Sequence, residues 1–234
     1  TTEIYTLSLH DALPICPVIA VGDIYHPCRI YAVHVGRSSR GGKGDSLNLV
    51  KKLQRRISLI EPTLLAKSHT GGISTREGLA LELHDGYGQG DSATQAVQDK
   101  RLFIIEPEFA QVLAQGKREG NTLMTALRDC WDDGGVIKPL TKNSRIWSTD
   151  PHIAIFGNIT PFELRSKLTV NEIHGGTLNR FLLIFAERLD YVPIPEVTPD
   201  DIVEIYAHRF IDIIRFAKAN YGSKGYDHQA EPMV

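Results

Sequence analysis

With 234 residues, 42% of them hydrophobic and 23% charged, the chain is long enough to bury its own core and has the composition of a globular protein. Its formal net charge of −2 excludes a general attraction for nucleic acid, so any phosphate contact must come from a local basic patch. No apolar run approaches the roughly 20 residues that cross a bilayer, and Cys16, Cys28 and Cys130 are too scattered for a disulfide framework or a CxxC metal knuckle, which points to a reducing, cytoplasmic setting.

The first stretch, from Ile4 to Ile15, lacks the basic n-region and small-residue cleavage site of a secretory signal. It resembles the translated sequencing adapter that recurs at the ends of metagenomic gene calls. Residues 1–16 are therefore expected to form a non-native or disordered arm outside the fold, with an ordinary exposed N-terminal arm as the alternative.

Residues 29–36, Arg-Ile-Tyr-Ala-Val-His-Val-Gly, are rich in β-formers and end on glycine, the pattern of a buried strand entering a turn. Asp45 or Ser46 can cap a following helix. Its apolar positions Leu49, Val50, Leu53, Ile57 and Ile60 recur at helical spacing, with Lys51, Lys52, Arg55 and Arg56 largely on the other face. Residues 64–67 read as a short strand, 75–83 as a helix, and 85–92, with three glycines, as a loop.

Leu102-Phe103-Ile104-Ile105 is the clearest strand, followed by helices from Glu108 and over 122–131. Ile153-Ala154-Ile155-Phe156-Gly157 reads as another buried strand, leading through Asn158 into a helix over 161–168, and 181–186 as a further strand. A last helix over 200–220 lines up Ile202, Tyr206, Phe210, Ile213 and Ala217 on one stripe. Strands alternating with helices predict an α/β core with a mostly parallel sheet covered on both faces, spanning residues 17–192. The step through Pro193, Pro195 and Pro199 marks the passage to a helical extension over 193–234, expected to be truncated, as the chain is expected to be cut short at both ends.

The sharpest chemical feature is the loop Gly36-Arg37-Ser38-Ser39-Arg40-Gly41-Gly42-Lys43-Gly44-Asp45-Ser46, between a buried strand and an amphipathic helix. Glycines let backbone N–H groups converge on an anion, the helix N-terminus adds a positive dipole, Lys43 can reach terminal phosphates, and a hydroxyl such as Ser46 can hold magnesium. The spacing departs from the usual phosphate loop: five residues separate Gly36 from Gly42-Lys43, and Gly44 and Asp45 stand between the lysine and Ser46. Taken alone, the loop fits a phosphate cradle and a glycine-rich surface turn equally.

Three further segments bear on the choice. Phe103-Ile104-Ile105-Glu106-Pro107-Glu108 is an apolar strand ending in two carboxylates; in P-loop enzymes such a strand lies beside the phosphate loop, one acid serving the metal and a neighbour polarising water. The plain alternative is an acidic strand end with Glu108 capping the next helix. Asn158 can sense a terminal phosphate, or it or Thr160 can cap the helix at Pro161. Arg180 can contact phosphate in its own subunit or a neighbour's, or simply pair with a surface acid. The histidines show neither HxxxH nor HExxH spacing, and no GxSxG elbow occurs.

Gly22-Asp23 with His26-Pro27, Val35-Gly36-Arg37-Ser38-Ser39 with Lys43-Gly44-Asp45-Ser46, Glu106-Pro107-Glu108-Phe109, Arg118-Glu119-Gly120-Asn121-Thr122-Leu123, Leu140-Thr141-Lys142-Asn143-Ser144, His152-Ile153-Ala154-Ile155 and Asn179-Arg180-Phe181-Leu182 follow one another in this order. Together they resemble an uncharacterised family of P-loop ATPase-like domains from phages, plasmids and integrated elements, often found beside primase–polymerase modules; the resemblance runs from about Pro17 to Arg188. It implies a RecA-like P-loop NTPase core and work near replicative helicase loading or unwinding, driven by ATP with Mg2+. Asp45 stands where that family's loop would be expected to carry threonine.

On this reading Gly36, Ser38, Ser39, Arg40, Gly41, Gly42, Lys43, Gly44, Asp45 and Ser46 hold the phosphates, and Ser46 and Glu106 position magnesium. Glu108 polarises water, Asn158 senses the γ-phosphate, and Arg180 stabilises transition-state charge. The implied partners are ATP, single-stranded DNA, the primase–polymerase module of the same system and further copies of the chain, with no membrane. The rival expectation is a degenerate P-loop domain that binds nucleotide or DNA phosphate as an assembly scaffold without turnover.

Overall fold

The computed structural model describes residues 18–21, 24–27, 29–37, 43–132, 135–138, 146–168, 176–186, 196–219 and 223–225. The arm at 1–16 and loop residues 38–42 lie outside them. The elements run β1 (Val18–Val21), β2 (Ile24–Pro27), β3 (Tyr31–Val35), α1 (Lys43–Ile60), β4 (Lys67–Thr70), α2 (Arg76–Glu82), β5 (Arg101–Glu106) and α3 (Phe109–Gly116). They continue with α4 (Leu123–Asp132), β6 (Val136–Ile137), β7 (Ser148–Thr149), β8 (His152–Ile159), α5 (Pro161–Lys167), β9 (Phe181–Phe185), α6 (Asp200–Ala219) and β10 (Ser223–Gly225).

Five strands make one all-parallel sheet in the order β4-β5-β8-β3-β9. Its three inner strands carry the near-continuous apolar runs expected of strands covered on both faces: all of β3 and β5 and all but the first residue of β8 are buried. Helices α2 to α5 cover one face, where Leu79, Phe109, Leu113 and Leu127 pack with Val33, Leu102, Ile104 and Ile155. Helices α1 and α6 cover the other, where Val50, Ile57, Ala207, Phe210 and Ile211 pack with Ala32, Phe103, Ala154 and Phe156. Each of the larger of these side chains, Val, Leu, Ile or Phe, contributes about 1.5–3 kcal/mol by leaving water.

Ion pairs fasten α1 to α6: Lys52 meets Asp200 at 2.6 Å, and Arg56 with Glu204 and Arg215 with Glu61 add two more. The face that α6 buries differs from the expected stripe. Val203, Ala207, Phe210, Ile211 and Ile214 go inward, while Ile202, Tyr206 and Ile213 stay exposed. Small Ala207 lets the helix approach, so the contact stripe turns about one position away from the bulkier apolar residues.

Local chemistry sets the boundaries. Pro107 cannot supply the next ladder N–H, and β5 stops at Glu106. Thr75 caps α2 by accepting the Gly78 N–H at 3.0 Å. Thr160 caps α5 in a capping box with Glu163, with Pro161 in the first turn. A separate small sheet pairs β1 with β2 antiparallel and with β10 parallel. Among the described residues no helix is long and apolar enough to cross a membrane.

Candidate functional site

Because all five strands of the main sheet run the same way, β3, β4, β5 and β8 deliver their following loops to one edge. That carboxyl edge is where ligands of open α/β sheets bind. It receives Gly36, Gly71, Pro107 and Thr160. One expectation about its layout needs correction. The acid-bearing strand β5 is not the neighbour of β3; β8 lies between them. Glu106 is level with Gly157, which is level with Val33.

Gly36 has no room for a side chain. A Cβ there would meet His34 Nε2 at 2.9 Å and the Ala186 carbonyl oxygen at 3.2 Å. Its N–H donates to the Ile159 carbonyl at 3.0 Å, which fixes the chain as it leaves the sheet. Arg37 is exposed. Ser38, Ser39, Arg40, Gly41 and Gly42 lie outside the described residues. Helix α1 begins at Lys43, earlier than the expected cap at Asp45 or Ser46, so Gly44, Asp45 and Ser46 belong to its first turn. Gly44 is exposed, with nothing within 4 Å of where a Cβ would stand.

Asn158 is not a linker beyond the strand. It lies inside β8, level with His34, and is 3% exposed. Thr160 takes the cap that Asn158 was a candidate for. The Asn158 carboxamide Oδ1 faces His34 Nδ1 at 3.1 Å, and His34 Nε2 faces the Ala186 carbonyl at 3.0 Å. A ring carrying its proton on Nε2 donates to the Ala186 carbonyl and accepts at Nδ1 from the carboxamide NH2 once that group is turned inward. The imidazole thus ties the ends of β8, β3 and β9 together directly beneath Gly36. His34 is the residue that motif reading passed over: a polar side chain in the middle of a buried strand was its signal, and its partners are distant in sequence.

Glu106 is buried and turned away from α1. It shares its face with Leu102 and Ile104, which pack under α2 to α5, whereas Ile105 packs under α1. Its Oε1 accepts the Ile73 N–H at 2.9 Å, and the Gly72 N–H is also directed at the carboxylate. Burial pushes its pKa up, against the pull of those N–H groups and of His69. Ser46 stands in the first turn of α1, over the opposite face. The two expected magnesium ligands thus start from opposite faces of the sheet at its carboxyl edge, and Glu106 is engaged as a clamp on the loop after β4. Among the described residues no group of three or more His, Cys, Asp or Glu is placed to hold a metal ion.

That clamped loop is the second feature missed in the sequence. Gly71 N–H donates to the Ile105 carbonyl at 2.8 Å. Asn121 donates to the Ser74 carbonyl at 2.8 Å while its Oδ1 accepts the Leu123 N–H at 2.8 Å, so one side chain secures the loop and the start of α4 together.

Glu108 sits at the N-cap position of α3 but makes no side-chain cap bond; it pairs with the Gln111 side chain and stays exposed. Arg180 requires the largest revision. It precedes β9, whose first residue is level with Tyr31, and so stands at the amino edge of the sheet, opposite Gly36. Its guanidinium is held by Asp132 at 2.9 and 2.5 Å and by the Gly176 carbonyl at 2.7 Å. A phosphate contact within its own subunit is out of reach; the surface-acid alternative is what the geometry contains.

No protein-family model matches the chain, and no curated protein does either.

Proposed function

We propose that this chain is the nucleotide-binding core of a P-loop ATPase-like protein that acts in the replication of a mobile element. One observation carries the reading: an inner strand of a parallel sheet, β3, ends on a glycine with no room for a side chain and leads to the 18-residue helix α1, beside Asn158 at the same edge. Such a strand–loop–helix unit presents backbone N–H groups and a helix dipole to an anion. A nucleoside triphosphate is taken up on Gly36–Ser46 with Lys43 on its terminal phosphates, magnesium accompanies it with Ser46 as the hydroxyl ligand, and Asn158 contacts the γ-phosphate. Glu108, exposed beyond Pro107, is the acid left to orient water. Single-stranded DNA, a primase–polymerase module and further copies of the chain are its proposed partners, on the strength of the family resemblance.

Magnesium-dependent ATP hydrolysis, measured with and without single-stranded DNA, tests this directly. Lys43→Ala is expected to abolish nucleotide binding and leave the melting temperature unchanged. Nucleotide affinity equal to wild type in that variant rules the phosphate loop out.

The engagement of Glu106 with Ile73 favours a second reading, a scaffold that binds nucleotide or DNA phosphate without turnover. Tight nucleotide binding with no hydrolysis under any of those conditions selects it.

A further inference from the structure

We propose that the open groove between α1 and β4 binds single-stranded DNA by its phosphates, with Lys51 and Arg55 as the cations that hold it. The choice of DNA as the polyanion rests on the replication role proposed above; the groove itself lies apart from the phosphate loop and needs no nucleotide.

The four bases in the middle of α1, Lys51, Lys52, Arg55 and Arg56, part into two pairs. Lys52 and Arg56 turn toward α6, where Asp200 and Glu204 neutralise them. Lys51 and Arg55 stand on the opposite flank of the helix, over β4, and form no ion pair or hydrogen bond among the described residues. Bases on an exposed helix flank are usually no more than a solvated face, and two features set this pair apart. The first is the space they look into. It is a groove of about 630 Å3, walled by α1 on one side and by β4, the outermost strand of the sheet, on the other. Its floor is apolar, from Leu65, Ala66 and Ile105, and no carboxylate lines it. A cleft carrying charge of one sign over an apolar floor concentrates the field, so it draws anions although the whole chain has a net charge of −2.

The second feature is spacing. Lys51 and Arg55 are one helical turn apart, about 6 Å along the axis. Across the groove Ser68 and Thr70 are two positions apart on β4, about 6.5 Å, and both lie on the α1 face, level with Phe103 and Ile105. Helix α1 runs back against the strands, and Gln54 donates to the Ser68 hydroxyl at 3.4 Å, which sets Arg55 toward the Ser68 end and Lys51 toward the Thr70 end. The groove thus offers two rungs, each a cation across from a hydroxyl, and neighbouring phosphates of an extended strand stand about one rung apart. A small anion would use only one rung. A double helix is too broad to enter between α1 and β4 and would touch only the rim. No aromatic ring lines the groove, so bases find no stacking platform there. The contacts are to the backbone, which makes binding tolerant of sequence and steeply dependent on salt.

Binding of a short fluorescein-labelled oligo(dT), read by anisotropy in the absence of nucleotide, tests the groove separately from the ATP site. At about 50 mM salt, Lys51→Gln combined with Arg55→Gln is expected to weaken binding about tenfold or more. The slope of log K against log salt should fall by about 1.4, the value for two phosphate contacts on a single strand. Lys117→Gln combined with Arg118→Gln removes the same charge from an exposed turn after α3. That variant should stay within about twofold of wild type with its slope unchanged. Thr70→Val keeps every charge and should lose about threefold, as for one hydrogen bond, again at unchanged slope.

A Lys51–Arg55 variant that binds oligo(dT) as tightly as wild type, or loses no more than the Lys117–Arg118 variant, overturns the proposal. Equal competition by a duplex overturns it too, as does equal competition by poly-glutamate of matched charge, which would assign the groove to an acidic protein segment. Wild-type protein that binds oligo(dT) through these residues but takes up no ATP leaves the groove standing and removes the nucleotide site. Wild-type protein that binds ATP but no oligo(dT) does the reverse.

Discussion

Phe109 occupies the space above Gly157 that a side chain would need: a Cβ at 157 would come within 2.8 Å of the ring. This is how α3 lies close on β8, and it explains a glycine in the middle of a buried strand. Gly157→Ala should destabilise the protein by about 1–3 kcal/mol through overpacking, read from the denaturant midpoint. Combining it with Phe109→Leu should recover part of the loss, since the two positions share one space. A fully additive double variant would mean that the strand, not the ring, resists the methyl group.

Glu106 yields a pH dependence of unusual sign. Burial holds its folded pKa above the ordinary value of 4.5. The folded state therefore keeps the proton to higher pH than the unfolded state does. The stability this contributes is fully present below about pH 4.5 and is lost as pH rises through the folded value. Relative to Glu106→Gln, wild type should lose stability between about pH 4 and neutrality, as measured by urea unfolding across that range. A constant difference between the two proteins would show that Glu106 titrates alike in both states.

Cys130 lies in α4, 1% exposed, with burial pushing its thiol up to about 12. Little thiolate forms at neutral pH, and a reagent has no access to what does. Alkylation followed by peptide mapping should leave Cys130 unmodified in the native protein and label it fully in urea. Labelling under native conditions at the rate of an exposed thiol would contradict the packing of α4 on the sheet.

For Arg180, pairing with Asp132 at the amino edge predicts a modest effect. Arg180→Ala should cost under about 1 kcal/mol, as for an ion pair open to solvent, and leave nucleotide affinity unchanged. Turnover that falls a hundredfold only when protomers can associate would instead assign the arginine to a neighbour's site.

What could be read from the residues alone follows from the range of the interactions involved. β3, β5 and β8 are legible because apolar runs such as Phe103-Ile104-Ile105, interrupted in β3 by His34, admit no amphipathic helix. The apolar stretch at 64–67 predicts β4 too early: Leu64 and Ala66 are buried in the approach to the strand, whereas the strand itself, Lys67–Thr70, is a polar edge. The pattern predicts a strand ending at Gly157; here that glycine serves the approach of Phe109, and Asn158 stays in the ladder. α6 carries apolar residues on two faces, and periodicity cannot say which one a sheet will cover. For the site, the loop and its helix were visible as a local pattern. The tie of His34 to Asn158 spans 124 positions and that of Glu106 to Ile73 spans 33, and no local spacing announces either. The edge at which Arg180 stands was equally hidden, since it depends on β9 running parallel to β3.

The strand order also governs how the chain must assemble. Lys67 finds its partner at Leu102 and Arg101 finds His152, but Tyr31 must wait for Ile155 and Phe181, more than a hundred positions downstream. Closing long loops is slow, and pairing between distant segments comes late. During synthesis β3 therefore emerges early, apolar except for His34, and stays unpaired until β8 is made. The strand that introduces the glycine-rich loop therefore gains from shielding by a chaperone until β8 is completed.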